Sequence, residues 1–476
     1  MAGMWNKIKN SATLMTWSNQ FVNFGSALFI LPLLLKRFDE LEIAFWFLVN
    51  VFIQLARLAD SGFGPTLIRA VSYFKAGAEK LPMNKEDFEN SEVEDKGMPN
   101  LSKMADLLST SNRIYLILSL FAMLLMGTVG VAVTWNIFSM SGFRQDFIWA
   151  FILIIINSYI VLQTVKWTSF MAGLDFVAKS NGFYSITGSV KVFAYIAILL
   201  IYPSVLLLIA YNLLTSIVIL FYLRGYIRKW FAKHQINLTT HKVFDKEIFK
   251  SIWPATWKLG GIYWGNYLIT YGTSIIIAQV DNAALMASFL FTQRIMFIIR
   301  RMAEAPFYAN IQKTYKLLAF KDFVGLKKLT SINIFLAMGI VVSSLTVIGF
   351  IGNWGLDFLG IETRLVPPVI YALMLAMTAL EIHAAMHATI YSSTNQIPFL
   401  IPSLASGLVV VVIGFMILPI YGVLGLILLQ FFTQLSFNYW YSLYLSLKLV
   451  KWSFRDYVAD VLKGGVSIVK GEAKVL

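Results

Sequence analysis

QLARLADSGFGPTLIRAVSYF, residues 54–74, leaves an apolar run and ends in a charged loop. Arg57 and Asp60 stand where a membrane span should be purely apolar. Gly62, Gly64 and Pro65 then loosen the backbone, and Arg69 marks the exit to water. A charge in the hydrocarbon costs at least ~2.5–3.5 kcal/mol, so it usually faces a bundle interior or a wet cavity. Arg57 and Asp60 are also three apart on a helix, the spacing of a pair that can neutralise itself. Both readings stay open, because a pair that can exchange partners with a substrate charge is a usable switch.

The rest of the chain supports a membrane setting. It has 476 residues, 58% of them hydrophobic and only 13% charged, with a mean hydropathy of +0.70. That composition predicts an all-α polytopic membrane protein. There is no cysteine, which excludes disulfides and thiolate metal sites. The opening MAGMWNKIKN is basic, but the apolar run after it is long and lacks a small-residue cleavage site, so an uncleaved first span is expected.

About twelve spans of the required length are expected, near 12–35, 42–64, 112–136, 147–170, 181–201, 204–223, 254–279, 283–309, 330–352, 366–391, 397–419 and 422–447. An even number places both termini on one side. With the termini in the cytoplasm, only Lys36, Arg37, Arg144 and Arg364 fall in external links and seven basic residues fall within spans, Arg113 at the inner edge of the third being counted with its cytoplasmic loop. The remaining 28 of the 39 Lys and Arg are cytoplasmic, as the positive-inside rule requires. The net charge of +14 is explained in the same way and calls for no nucleic-acid partner.

Two long polar loops, 75–111 and 224–252, lie on the cytoplasmic side. The second is basic with interleaved aromatics and suits an anionic inner leaflet. It divides the chain into an N-terminal lobe (1–223), a connector (224–252), a C-terminal lobe (253–448) and an amphipathic tail (449–476). SATLMTWSNQFVNF (11–24) and PATWKLGGIYWGNY (254–267) open the two halves and share Ala-Thr and a later Asn at equal spacing, and the same shift lays Arg57 over Arg300. Six spans per half with cytoplasmic ends imply a parallel repeat.

Three stretches carry a family resemblance. Asp60-Ser-Gly-Phe-Gly-Pro-Thr-Leu-Ile-Arg69 closes the second span. Ala287-Ser-Phe-Leu-Phe-Thr-Gln-Arg294-Ile is followed by Pro306. Ser393-Thr-Asn-Gln-Ile-Pro398 precedes an apolar span and Tyr421-Gly-Val-Leu-Gly425. In order and spacing these resemble the polysaccharide and O-antigen flippase branch of the multidrug/oligosaccharidyl-lipid/polysaccharide (MOP) exporter superfamily. The resemblance implies two six-helix lobes around a basic central cavity. It also implies alternating-access export of an undecaprenyl-diphosphate-linked oligosaccharide across a bacterial inner membrane. The Arg-rich first span of lipid II flippases is missing, since residues 12–35 carry no charge.

The charges within the spans are Arg57, Lys166, Lys191, Lys258, Arg294, Arg300 and Arg301, against Asp60, Glu381 and, near a boundary, Glu304. Such a surplus suits a diphosphate, whose oxygens accept charge-assisted bonds. The expected substrate-binding set is Arg57, Lys191, Lys258, Arg294, Arg301, Asn23 and Asn266. Asp60 and Glu381 are the expected sites for a coupling proton or sodium, and Glu381 is also suited to pairing with an arginine of the other lobe. Lys166, Arg300 and Arg301 lie near span ends, where long side chains snorkel. Asn19, Gln20, Asn23 and Asn266 are as well suited to gluing helices as to binding sugar hydroxyls. The aromatics Tyr263, Trp264, Tyr267 and Tyr271 suit either sugar stacking or a membrane interface.

His383 and His387 are four apart, but no third ligand accompanies them, so no metal and no cofactor are expected. No Gly-Lys-Ser/Thr loop and no Ser-His-Asp set occur, and the external links are too short for a glycan polymerase site, so an enzyme is not expected. The expected partners are the lipid-linked glycan, the bilayer and polysaccharide assembly proteins. A multidrug cation antiporter is the alternative, although its cavity should be acidic; a membrane glycan polymerase or ligase is the less favoured third reading.

Overall fold

The computed structural model describes residues 12–75, 77–79, 81, 98–238, 244–280, 282–319, 322–392 and 398–469. The motif Ser393–Pro398, save Pro398, and much of the loop 75–111 lie outside them. Every regular element among the described residues is helical. Among the described residues nine helices are long and apolar enough to cross a membrane, and the chain is a multi-pass membrane protein.

The contacts divide the chain into two compact units. One comprises Met1–Tyr267 with Ala278–Asp281, the other Leu268–Ile277 with Asn282–Leu476. The division falls inside a helix, after Tyr267.

The N-terminal unit contains α1 (Ala12–Arg37), α2 (Glu40–Leu58), α3 (Phe63–Lys75), α4 (Leu101–Leu125) and α5 (Val131–Met140). α6 (Gln145–Gly173), α7 (Val177–Ile201) and α8 (Val205–Lys233) follow. The first two-thirds of α9 (Lys246–Ile277) complete it. A π-helical turn, Met126–Gly130, joins α4 to α5. α6 packs on α8, α4, α3 and α2, while α1 packs on α7. Phe63, Leu67, Phe74, Phe170, Leu223 and Phe231 bury one core among these helices.

The opening stretch shows why the second predicted span is interrupted. α2 stops at Leu58, and Ser61 and Gly62 take positive φ (47° and 83°) before α3 begins. Gly62 is required twice over. Its φ disfavours a side chain, and a Cβ there would meet Leu259 Cβ at 2.7 Å and Thr256 O at 2.8 Å on α9. Gly260 returns the contact, since a Cβ on it would lie 2.7 Å from Ser61 O.

At the other end of α2, Asp39 and Glu42 form a reciprocal cap. Arg144, at the start of α6, bonds Asp39, Glu42 and Asp146 at 2.8–3.2 Å. The Asp146 bond, with Glu42 adding to it against partial burial, holds the Arg144 guanidinium above its ordinary range.

The C-terminal unit contains the last ten residues of α9, α10 (Ala283–Ala309), α11 (Ile311–Ala319) and α12 (Phe323–Phe358). α13 (Pro368–Ser392), α14 (Leu400–Ser436), α15 (Asn438–Leu449) and α16 (Phe454–Val469) complete it. α12 packs on α10, α13 and α16, and α13 packs on α15. The apolar run Leu400–Leu449 is 50 residues, about 75 Å of helix at 1.5 Å per residue, well beyond one ~30 Å crossing. It is bent where Gly422 leaves helical geometry (φ 62°, ψ −160°), beside the link expected at 420–421.

Candidate functional site: charges within the membrane-spanning helices

In the C-terminal unit two arginines of α10 sit in contrasting surroundings. Arg300 donates through Nε to Glu304 Oε1 at 3.0 Å and through Nη1 to Glu381 Oε2 at 2.7 Å. Glu304 comes from the same helix, one turn on; Glu381 comes from α13. Both carboxylate side chains are at most 17% exposed. Glu381 therefore pairs with an arginine, and that arginine belongs to its own unit. Arg300 does not snorkel as a free cation; its charge is answered locally.

Arg294, six residues earlier, is half-buried and has no ion pair or hydrogen bond among the described residues. The charge acting on it is that of Arg301, which repels it, and the Tyr271 hydroxyl lies within electrostatic reach. Arg301 is exposed. On a helix a spacing of seven keeps Arg294 and Arg301 on one face, while Arg300 is turned away by about 100°. That rotation leads Arg300 to Glu381 and leaves Arg294 unmatched.

Beside Glu381 lies a small cleft lined by Thr270, Thr273, Gln293, Thr378 and Gln430 and by Met and Phe side chains. Gln293 Nε2 donates to Thr270 O at 3.2 Å, and Gln430 Nε2 donates to Ile269 O at 2.9 Å. The buried Thr273 hydroxyl has no partner among the described residues. These polar groups come from four different helices, and nothing in their sequence spacing brings them together.

In the N-terminal unit Asp60 is 7% exposed. Tyr115 Oη donates to its Oδ1 at 2.6 Å and Gly64 N to its Oδ2 at 2.9 Å. The helix-internal pair with Arg57 does not form: the carboxylate starts α3 instead, and Arg57 is exposed at the last turn of α2. Lys191 is half-buried and approaches Asn212 Oδ1 at 3.5 Å, a long contact, with the Tyr195 ring 5.9 Å away. Lys258 and Asn266 are exposed on α9, with Lys258 Nζ 6.0 Å from the Trp257 ring. The Asn23 side chain lies outside the described residues. Tyr267 is buried and donates to Val51 O at 3.2 Å, a helix-joining role. Thus Arg57, Lys191, Lys258 and Asn266 belong to one unit, and Arg294, Arg301 and Glu381 to the other.

Lys166 departs from expectation. It is 3% exposed, not snorkelling, and donates to Asn112 Oδ1 at 2.7 Å and Gln163 Oε1 at 2.9 Å. Its position late in α6 suggested an outward-reaching chain; packing against α4 and α8 turns it inward. His383 and His387 share Tyr457 Oη of α16, at 2.6 and 3.2 Å, and His387 Nδ1 meets Ser446 Oγ at 3.0 Å. They join α13 to α15 and α16. Among the described residues no three His, Cys, Asp or Glu converge as a metal site requires.

No protein-family model matches the chain. No curated protein matches it. Solved structures do. An inward-facing multidrug resistance MATE family transporter of the MOP superfamily aligns at 13% identity over 92% of this chain and 99% of its own, with a TM-score of 0.64. A MOP superfamily transporter from Pyrococcus furiosus, described by a reversed polarity of its binding pocket that suggests a different function, aligns at 13% identity, 94% and 97% coverage and a TM-score of 0.61. The chain has the MOP transporter fold. The lipid II flippase MurJ, in an inward closed conformation, is similar at 11% identity, 96% and 91% coverage and a TM-score of 0.61. A multidrug resistance transporter and a lipid II flippase are thus both neighbours in fold.

Proposed function

We propose that this MOP-fold protein flips an undecaprenyl-diphosphate-linked oligosaccharide, an O-antigen or other surface polysaccharide unit, across a bacterial inner membrane by alternating access. Arg294 carries the reading. A guanidinium within a span, without a carboxylate, beside a second arginine, is costly to keep unless an anion visits it. In this reading Arg57, Lys191 and Lys258 of the N-terminal unit and Arg294 and Arg301 of the C-terminal unit bind the diphosphate during the cycle. Asn23 and Asn266 bond the sugars. Bidentate arginine bonds to phosphate oxygens supply orientation as well as energy.

Asp60 and Glu381 are the proposed sites for a coupling proton or sodium. Glu381 does this by exchanging Arg300 for the ion, Asp60 by loosening its Tyr115 bond. No bound cofactor or catalytic step is part of the cycle, and polysaccharide assembly proteins are the proposed neighbours in the membrane.

The test is made in cells lacking the protein. Lipid-linked glycan trapped on the cytoplasmic leaflet, with loss of surface polysaccharide, is the expected result. One observation favours a second reading, a multidrug cation antiporter: the cleft beside Glu381 is lined by Met296, Met374, Met377, Phe289 and Phe297, an apolar wall suited to a lipophilic cation. Normal surface polysaccharide with altered sensitivity to cationic drugs would select it.

A further inference from the structure

The N-terminal unit contains a second group of cations that the transport reading does not use. Lys166 Nζ is held by two neutral amide oxygens and lies 4.9 Å from the Trp167 ring centroid. The charges acting on it are Arg224 and Arg228 of α8, both of the same sign. Those arginines are one turn apart on one stripe of the helix. Around α8, Leu223, Ile227 and Phe231 enter the core. Tyr222 stacks on Phe183, and Tyr226 meets Lys179, both of α7. The arginines therefore occupy the flank turned away from α7. Among the described residues none of the three cations has a carboxylate partner.

The depth of the group is informative. Lys166 follows the start of α6 by 21 residues and Arg224 the start of α8 by 19. At 1.5 Å per residue both lie about 30 Å from the ends that the charge count assigns to the exterior, close to the thickness of the hydrocarbon core. They stand at the inner boundary, where lipid phosphates lie. Two arginines beside a buried lysine, with no carboxylate partner among the described residues, leave a positive field that a bound anion would relieve.

We propose that Lys166, Arg224 and Arg228 form a phosphate-binding site for the headgroup of an anionic inner-leaflet lipid. The two guanidinium forks bind the phosphate oxygens, and Lys166, fixed by Asn112 and Gln163, adds charge from behind. The site uses none of the residues assigned above to the transported glycan, so it does not depend on that reading.

The experiment is native mass spectrometry of the full-length protein titrated with phosphatidylglycerol, comparing the wild type with Arg224→Gln/Arg228→Gln and with Lys166→Met. The arginine pair is at the helix flank, so its double variant should keep the melting temperature of the wild type. It should retain phosphatidylglycerol about tenfold more weakly, the loss of two charge-assisted contacts. Lys166→Met should weaken retention in the same direction. Displacement by excess inorganic phosphate would mean that the phosphate group suffices; resistance to it would mean that the lipid tail contributes; either supports the site once the double variant has lost retention. Equal retention by wild type and double variant overturns the proposal. Glycan export by Arg294→Gln tests the transport reading without touching this site, so either can fail alone.

Discussion

Arg294 and Arg300 share α10 and the same unit, about 9 Å apart along the axis, yet among the described residues Arg300 has two carboxylates and Arg294 has none. The difference lies in rotation about the helix and position along it, not in residue type. An arginine turned towards α13 becomes part of the fold. One turned away from it is left with a second positive charge for company, which stability alone would not select. In this chain an intramembrane cation is therefore informative for function when its counter-charge is missing.

The comparison can be broken most forcefully at Arg300. Arg300→Gln leaves Glu304 and Glu381 with no cation, and removal of one partner of a buried pair costs about 3–5 kcal/mol. Thermal unfolding of the purified protein should register it as a large drop in melting temperature. Replacing Arg300 and Glu381 together by Met should recover much of that loss, since an apolar pair of similar size is often neutral or better. An unchanged melting temperature in Arg300→Gln would remove the contrast. At Arg294 the expectation reverses: Arg294→Gln should leave the melting temperature unchanged or raise it, while glycan export falls about tenfold or more with the loss of a charge-assisted phosphate contact. A smaller effect sharpens the same contrast in the N-terminal unit. Tyr115→Phe removes one bond to Asp60 and should cost about 1–3 kcal/mol, because a buried carboxylate then lacks a donor. The smallest change is expected at Tyr457→Phe, about 1 kcal/mol, from the lost bonds to His383 and His387.

Much of the fold was legible in the chain. The apolar runs announced membrane spans; Gly62, Gly64 and Pro65 announced a loosened backbone, although the span reads unbroken to residue 64 and the helix in fact stops at Leu58. The structure supplies its reason, a turn whose Gly62 must lie against α9. Partnership was not legible. Asp60 and Tyr115 are 55 residues apart, and Arg300 and Glu381 are 81 apart. Their meeting depends on which helices neighbour one another, which no periodicity records. Lys166 was misread for the same reason: distance along a helix measures depth, but only packing decides whether a long side chain turns outward or inward. Arg224 and Arg228 appeared as ordinary cytoplasmic charges of the positive-inside kind, and the buried Lys166 beside them is what distinguishes them. Of the polar groups around the cleft beside Glu381, Gln293 lies in a quoted motif, but nothing in the sequence joins it to Thr270, Thr273 and Gln430.

The most direct test of the central claim is the leaflet position of lipid-linked glycan in cells whose only copy carries Lys191→Gln, Lys258→Gln and Arg294→Gln together. If these intramembrane cations serve the substrate's diphosphate, the protein will accumulate normally in the membrane, glycan will be trapped on the cytoplasmic leaflet and surface polysaccharide will be lost. Normal surface polysaccharide from that triple variant would contradict the account.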